Sequence, residues 1–169
     1  MNHTFKIALV GMAFSLGVSI CGAEELPAKN QESANTASDG FSLWINPGLI
    51  SYHFNRNAGY RERNWGFGIQ SNLFEKVSVL AGNYINSDYA RSNYAGLGWQ
   101  PLSLYSVRVG FAVGVFNGYS TMHNGNWFAA ILPLISIRNE RVGVNFTLIP
   151  NYANRLDGAI AAQLILRVW

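Results

Sequence analysis

The stretch "YSVRVGFAVGVFN", Tyr105 to Asn117, decides the fold class because its alternate residues form two sets that differ in size. One set is large and apolar: Tyr105, Val107, Val109, Phe111, Val113 and Val115. The other is mostly small or polar: Ser106, Arg108, Gly110, Ala112, Gly114 and Phe116. A period of two predicts a β-strand. A face of large apolar groups backed by small or polar ones indicates a strand whose outer face meets lipid.

The same period continues through the chain, and no stretch after residue 41 keeps a helical period. Eight strands are predicted, at about 41–54, 64–74, 77–86, 93–102, 105–117, 126–138, 141–150 and 158–169. The connections alternate between short ones at 75–76, 103–104 and 139–140 and long ones at 55–63, 87–92, 118–125 and 151–157. Short turns on one side and long loops on the other are typical of exported barrels. The pattern therefore predicts an all-β, eight-stranded antiparallel up-and-down transmembrane β-barrel.

Two segments precede the predicted barrel, which occupies residues 41–169. Residues 1–23 combine a basic start, an apolar run and a small-residue end, which indicates a cleaved secretory signal peptide. Cys21 offers a lipoprotein anchor as the alternative, but the bulky Ile20 before it argues against one. Residues 24–40 are polar and aperiodic, so a flexible leader is predicted. Together these features predict a location in the bacterial outer membrane.

Charge and side-chain chemistry narrow the function. The segment 41–169 carries ten Lys and Arg against five Asp and Glu, and its arginines fall mainly in loops or near strand ends. That distribution favours a cationic rim facing anionic lipid or lipopolysaccharide over a nucleic-acid interface. No Asp and His cluster has the spacing of metal ligands, so we expect no metal and no cofactor. A monomer is expected.

The interior of an eight-stranded barrel has room for side chains or one small ligand. The pattern places polar groups such as Gln70, Asn145 and Gln163 in the lower half of the barrel, nearer the short turns. It places glycines in the upper half, nearer the long loops. The glycines would leave a groove open above a plug of polar side chains, and this groove would accept one acyl chain. The alternative is that the glycines only let a narrow barrel close and bend. Pro133 and Pro150, on neighbouring strands, would weaken one seam and admit lipid, unless they only mark bulges.

The segments "YHF", "YRERNWGFG", "YAGLGWQPL", "VRVGFAVGV", "ILPLISI" and "VNFTLIPN" resemble, in the same order, those of the lipid A palmitoyltransferase family PagP. The similarity covers about Pro47 to the C-terminus and is most specific in "GLGW" and the two proline-containing strands. It implies an outer-membrane barrel that moves a palmitoyl chain from a phospholipid donor to lipid A of lipopolysaccharide.

The resemblance also implies roles for individual residues. His53 matches the family's essential histidine and Ser87 its catalytic serine, whereas Asn86 stands where the family has an aspartate. Asp88 is a possible substitute for that aspartate. The remaining matches concern lipid: Gly98 matches the glycine at the floor of the acyl pocket, and Pro133 and Pro150 match the prolines that flank a lateral lipid entrance.

Loop arginines complete the expected site, because Arg56, Arg61, Arg63 and Arg91 are suited to bind lipid A phosphates. A histidine beside a serine can act as a general base in acyl transfer. Each feature also has a simpler interpretation: a rim histidine bonded to tyrosine, an ordinary turn serine and a solvated cationic loop. These leave a non-enzymatic structural or lipid-binding barrel as the alternative function, while the barrel's size argues against a channel.

Overall fold

The computed structural model describes residues 41–152 and 155–169, so the predicted signal peptide at 1–23 and leader at 24–40 lie outside the described residues. Eight strands pair antiparallel in sequence order, and the last pairs with the first to close a barrel. They are β1 Leu43–His53, β2 Arg63–Phe74, β3 Val77–Ile85, β4 Arg91–Leu104, β5 Val107–Phe116, β6 Phe128–Arg138, β7 Val142–Ile149 and β8 Ala159–Arg167. The predicted order is confirmed, and the strand ends differ from the predictions by at most two residues.

One predicted turn is wrong by two residues. The β4–β5 turn lies at Tyr105 and Ser106, with Tyr105 at φ 51°, and not at 103–104. Trp99 pairs with Phe111 and Leu102 pairs with Val109, so one more residue separates the pairs on β4 than on β5. This bulge contains Pro101, whose missing N–H suits a position outside the regular ladder. It reverses the inward and outward positions along β4 and extends the strand, which moves the turn.

A second irregularity turns His53 into the barrel. The pairing of β1 shifts between Asn46 and Gly48 on the β2 side and between Ile45 and Ile50 on the β8 side. Before the shift Trp44 is buried, and after it His53 is buried at 5% exposure. Successive side chains of a regular strand point to opposite faces, and His53 lies an odd number of positions after Trp44. A regular strand therefore could not bury both. The Pro47–Gly48 dipeptide therefore decides which face of the strand His53 occupies.

The outer surface is formed by large apolar side chains. The predicted outward set of β5, Val107, Val109, Phe111, Val113 and Val115, is exposed. Trp65, Phe67 and Ile69 of β2 are exposed too, whereas Asn64 and Gln70, on the opposite face of the strand, are each 1% exposed. The predicted assignment of the two faces is therefore confirmed for these strands. No helix within the described residues is long and apolar enough to cross a membrane.

A chain of amide and hydroxyl groups crosses the lower half of the barrel. Gln100 Nε2 donates to Ser136 Oγ at 2.9 Å, and Ser136 Oγ donates to Asn145 Oδ1 at 2.7 Å. Asn145 Nδ2 then donates to Gln70 Oε1 at 2.9 Å, and 3.4 Å separate it from Gln163 Oε1. These five residues form a polar plug. The pattern predicted Gln70, Asn145 and Gln163 in it but not Gln100 and Ser136, and it also predicted Arg167 there. Arg167 is not part of it, since this side chain is exposed and its Nε donates to the Trp169 carbonyl.

The seam between β6 and β7 is paired along only part of its length. The two strands pair from Arg138 with Gly143 up to Leu134 with Thr147, and β6 continues to Phe128 without a β7 partner. Pro133 is the first β6 residue beyond the pairing, and Pro150 follows the end of β7. Thr147 Oγ1 donates to the Pro133 carbonyl at 2.7 Å, which closes the lower edge of the gap. The predicted weak seam thus lies between the strands that the two prolines mark.

We expect Gly48→Ala to destabilise the barrel more than an ordinary left-handed glycine substitution. Gly48 has φ +107°, and a Cβ there would lie 2.2 Å from the Asn64 carbonyl oxygen. Gly59 is the matched control, with φ +69° and no atom within 4 Å of its Cβ position. Gly59→Ala should cost about 1–2 kcal/mol from backbone strain alone. Urea unfolding in detergent should give a clearly larger loss for Gly48→Ala, and equal losses would contradict the steric argument.

Candidate functional site

An apolar cavity of about 180 Å³ lies inside the barrel above the polar plug. Its walls include Leu49, Leu80, Gly96, Gly114, Phe116, Phe128, Leu132 and Leu134. Asn145 and Gln163 of the plug border it below, and His53, Ser87 and Asp157 border it elsewhere. Residues of both unpaired edges also line it, namely Phe128 and Leu132 of β6 and Ile149 of β7. The cavity therefore reaches the gap in the β6–β7 seam.

Only some of the predicted groove glycines border this cavity. Gly96 and Gly114 are paired with each other and line it. Gly68 instead makes room for Tyr94, whose hydroxyl would lie 2.2 Å from an added Cβ, whereas Gly66 lies against the backbone of Asn83 and Tyr84 on β3. The Tyr94 side chain fills part of the space that the glycine pattern predicted to be empty. The groove is consequently shorter than the glycine count indicated.

His53 and Ser87 meet at the rim of the cavity. His53 is the last residue of β1, and Ser87 follows β3 in the second long loop. The distance between His53 Nε2 and Ser87 Oγ is 3.1 Å, which is within hydrogen-bonding range. With the imidazole proton on Nδ1, Nε2 accepts from the serine hydroxyl, as a general base must. The structure thus brings together the two residues that the resemblance marked as catalytic.

Tyr119 lies at the same end of the cavity as Ser87, and no local pattern predicted it there. Tyr119 and Ser87 both line the cavity, and the Tyr119 hydroxyl lies 2.9 Å from the Tyr84 hydroxyl. Burial raises the pKa of Tyr119, so its phenol stays protonated and keeps a hydrogen to donate. Tyr119 comes from the third loop, and folding alone brings it to Ser87. A hydroxyl donor next to the serine oxygen suits an oxyanion formed there.

Asn86 does not orient His53. Its Nδ2 donates to Ser92 Oγ at 3.0 Å and to the Gly118 carbonyl at 2.8 Å. Its Oδ1 accepts from the backbone N–H groups of Asp88 and Ala90, at 2.9 and 3.0 Å. The side chain is fully buried, and these bonds use both donor hydrogens and both acceptor directions. Asn86 therefore holds the second loop together, which corrects the expectation that it occupies the orienting position beside the histidine.

Asn86→Asp should destabilise the loop instead of increasing activity. An aspartate oxygen would replace the Nδ2 donor and face the Gly118 carbonyl oxygen, which leaves two acceptors opposed in a buried position. A loss of about 1–3 kcal/mol in unfolding free energy is expected. The exposed Asp88→Asn, two residues away, is the control and should change stability little. Urea unfolding in detergent measures both, and an Asn86→Asp protein as stable as wild type would contradict this assignment.

Two carboxylates lie near the imidazole. Asp88 is exposed. Partial desolvation raises the pKa of its carboxyl, and the nearby His53 opposes this shift only in part. Asp157, in the fourth loop, is half-buried, and its Oδ2 accepts from the Tyr60 hydroxyl at 2.8 Å. The Tyr60 ring lies 4.4 Å from the His53 ring at an interplanar angle of 31°. Neither Tyr60 nor Asp157 was predicted, since each belongs to an ordinary polar loop and only tertiary folding joins them.

The first loop forms a cationic pocket on the other side of His53. This pocket, of about 470 Å³, is lined by His53, Asn55, Arg56, Gly59, Tyr60, Arg61, Glu62, Arg63, Trp65 and Tyr89. Arg56 pairs with Glu62, which lowers the pKa of that carboxyl. Arg61 lies over the Tyr89 ring at 5.9 Å, and its Nε donates to the Arg63 carbonyl. Three of the four predicted arginines thus share one pocket, while Arg91 begins β4 and does not line it.

Gly98 lies behind the floor of the apolar cavity. A Cβ at Gly98 would lie 2.7 Å from Ser78 Oγ, 3.3 Å from Leu134 Cδ2 and 3.7 Å from Leu80 Cδ1. Both leucines line the cavity, whereas Gly98 does not. The match to the family's pocket-floor glycine therefore corresponds to a position that supports the floor through these two side chains.

The described residues 41–152 and 155–169 contain no group of three or more His, Cys, Asp or Glu side chains arranged to hold a metal ion. Comparison of the chain with protein-family models and with curated proteins found no match. The resemblance to the lipid A palmitoyltransferases consequently stays a prediction, and the function must be argued from the site.

Proposed function

We propose that the protein is an outer-membrane acyltransferase that moves a fatty acyl chain from a phospholipid to lipid A. The proposal depends on one observation: the His53–Ser87 pair lies between an apolar cavity that fits a lipid chain and a cationic pocket that fits a phosphorylated acceptor. Acyl transfer requires that the ester of the donor and the hydroxyl of the acceptor both reach the same general base. A histidine shared by both pockets meets that need.

The outer surface supports a membrane location. Large apolar side chains are exposed on all of the strands, including Ile50 at 64%, Trp65 at 62% and Leu164 at 42%. A soluble protein does not expose so extended an apolar band, whereas a lipid-facing barrel requires it. The closed sheet pairs most of the backbone groups that lipid could not satisfy. We therefore propose that the strands span the outer membrane and that the four long loops lie on its outer side.

The chemistry follows from the geometry at the rim. A phospholipid enters through the β6–β7 gap with its acyl chain in the cavity and its ester beside Ser87. His53 Nε2 takes the hydroxyl proton as Ser87 Oγ attacks the carbonyl carbon, and Tyr119 donates to the resulting oxyanion. The ester C–O bond breaks, the leaving lysophospholipid oxygen takes the proton from His53, and the chain remains on Ser87 as an ester.

The second half of the reaction uses the cationic pocket. Phosphate groups of lipid A bind Arg61 and Arg63, which brings an acceptor hydroxyl to His53. His53 removes the hydroxyl proton, the acceptor oxygen attacks the acyl-serine carbonyl, and the Ser87 Oγ–C bond breaks. The proton returns to Ser87, so acyl-lipid A and free enzyme result. The same histidine acts as base in both halves, and no cofactor takes part.

The second candidate is a lipid-binding barrel without catalysis, which the position of Asn86 favours. An orienting carboxylate normally bonds the second imidazole nitrogen of a catalytic histidine. Here His53 Nδ1 is buried and has no hydrogen-bond partner among the described residues. Under this alternative the cavity would hold lipid, and lipid A would remain unmodified.

His53→Ala and Ser87→Ala should each lower lipid A acylation by at least about 100-fold, because each removes a group that takes part in proton transfer or attack. The readout is mass spectrometry of lipid A from cells that express each variant. His123→Ala and Ser120→Ala are matched controls in the exposed third loop and should retain wild-type acylation.

His53 is more buried than a rim residue was expected to be, so His53→Ala also removes its packing on Tyr60. His53→Asn keeps a polar planar group there and should be equally inactive. Its barrel should still be folded, as shown by an electrophoretic mobility that changes on heating. Acylation by the Ser87→Ala and His53→Asn proteins at the wild-type rate would overturn the assignment. A wild-type protein that carries phospholipid in native mass spectrometry but never acylates lipid A would establish the non-catalytic alternative.

Gly98→Met should make the enzyme prefer shorter acyl donors. The new side chain would displace Leu134 and Leu80 into the cavity, and a packed interior has no spare volume to absorb it. The preferred chain should shorten by roughly two to four carbons, since Met adds about four heavy atoms in place of a hydrogen. Leu97→Met is the control, because Leu97 is the adjacent residue on the outer face. An unchanged donor profile for Gly98→Met, measured with phospholipids of defined chain length, would remove Gly98 from the control of cavity depth.

A further inference from the structure

Tyr60 connects His53 to the carboxylate of Asp157. Asp157 Oδ2 accepts two hydrogen bonds, from the Tyr60 hydroxyl at 2.8 Å and from Asn55 Nδ2 at 2.9 Å. Tyr60 packs its ring on the imidazole with centroids 4.4 Å apart. Asp157 also lines the apolar cavity together with His53 and Ser87. The carboxylate is therefore fixed in position next to the reacting pair.

Other charges near His53 are less suited to act on it. Glu62 is close, but its charge is offset by the paired Arg56, which also faces His53. Asp88 is exposed, and its carboxylate has no hydrogen-bond partner among the described residues to hold it in place. Asp157 is half-buried and has no cation among its hydrogen-bond partners. Of the three carboxylates whose charges act on the imidazole, Asp157 thus combines a fixed position with an uncompensated charge.

We propose that Asp157, acting through Tyr60, is the acidic positioning residue of His53 and takes the role that the resemblance assigned to position 86. The inference rests on the proposed acyl transfer. Tyr60 fixes the plane of the imidazole, and the Asp157 charge stabilises the imidazolium that forms each time His53 holds a proton. No proton needs to reach Asp157, so the imidazole returns its proton to the leaving oxygen.

The protonation states of the two partners suit this role. The hydrogen bonds from Tyr60 and Asn55 lower the pKa of Asp157 below its ordinary value of 3.8, so it is ionised at neutral pH. Burial and the bond to Asp157 raise the pKa of Tyr60 to about 12, so its hydroxyl remains a donor. The pair stays fixed until the pH falls through the lowered pKa of Asp157, well below the working range of a histidine base.

The decisive variant is Asp157→Asn. Asparagine Oδ1 can still accept from Tyr60 and Asn55, so the variant removes the charge and keeps the packing. Acylation of lipid A should fall by roughly 10- to 100-fold, less than for a directly bonded triad aspartate. The acid limb of the pH–rate profile should move to lower pH, because imidazolium forms less readily without the carboxylate. A merely structural residue would not move this limb in a fully folded barrel.

Three further variants test the assignment against its rivals. Tyr60→Phe keeps the ring on His53 but loses the bond to Asp157, and it should show an intermediate loss of rate. Asp88→Asn and Glu62→Gln remove the competing charges, and each should lower the rate less than Asp157→Asn does. A larger loss for Asp88→Asn than for Asp157→Asn would overturn the inference in favour of Asp88.

A measurement without turnover separates this inference from the proposed function. The ring resonances of His53 can be titrated by NMR in the folded, detergent-solubilised barrel, and the midpoint should be at lower pH in Asp157→Asn than in wild type. If wild type never acylates lipid A but the midpoint shifts, the proposed function fails and the Asp157–His53 coupling stands. If wild type is active and Asp157→Asn matches it in rate, pH profile and midpoint, the coupling fails and the proposed function stands.

Discussion

Closure of the eight-stranded sheet is the constraint on which the rest of the structure depends. Because β1 pairs with β8, each strand has one face in a narrow interior and one on the outside. An interior of this width is filled by side chains or by one small ligand. Every inward position therefore either fills the barrel or leaves space. The five polar residues of the plug fill the lower half, and pairs such as Gly96 and Gly114 leave space above.

Proline acts in three ways on this closed ladder. In β1, Pro47 lies where the register shifts, and the shift brings His53 to the inside. In β4, Pro101 lies in a bulge that returns Leu102 and Leu104 to the outer surface. In β6, Pro133 comes where pairing with β7 stops. A residue without an N–H cannot join a ladder fully, so each proline falls where the ladder is already altered. The site depends on the first alteration and access to the cavity on the third.

Under the proposed function, the position of His53 between two unlike pockets joins the binding of a lipid chain to that of a charged headgroup. One side of the imidazole faces a cavity of hydrocarbon walls, and the other faces the arginines of the first loop. The partners of His53 come from the first, second and fourth loops, through Tyr60, Ser87 and Asp157. These three loops are thus as important to the site as the strands that carry them. Their convergence follows from a barrel that places alternate connections at the same end.

The sequence by itself determined the strand number, the order of the strands and the outer face of most strands. Period two and the alternation of short and long connections are local properties, and a closed barrel is the architecture that satisfies them. It also placed His53 and Ser87 at the same rim, because each ends an upward strand. Their 3.1 Å contact and the exposure of Val107 to Val115 agree with those local predictions.

Tertiary structure alone decided the details that govern the chemistry. Asn86 could be assigned beside the histidine from its position in the chain, yet its four hydrogen bonds direct it to Ser92, Gly118 and its own loop. The approach of Asp157 to Tyr60 joins residues 97 positions apart, and no local pattern encodes such a contact. The turn at Tyr105 was missed because a bulge changes the phase of a strand without changing its composition. Local periodicity fixes which residues form strands, whereas the hydrogen bonds and ring contacts of a site depend on side chains that only the closed barrel brings together.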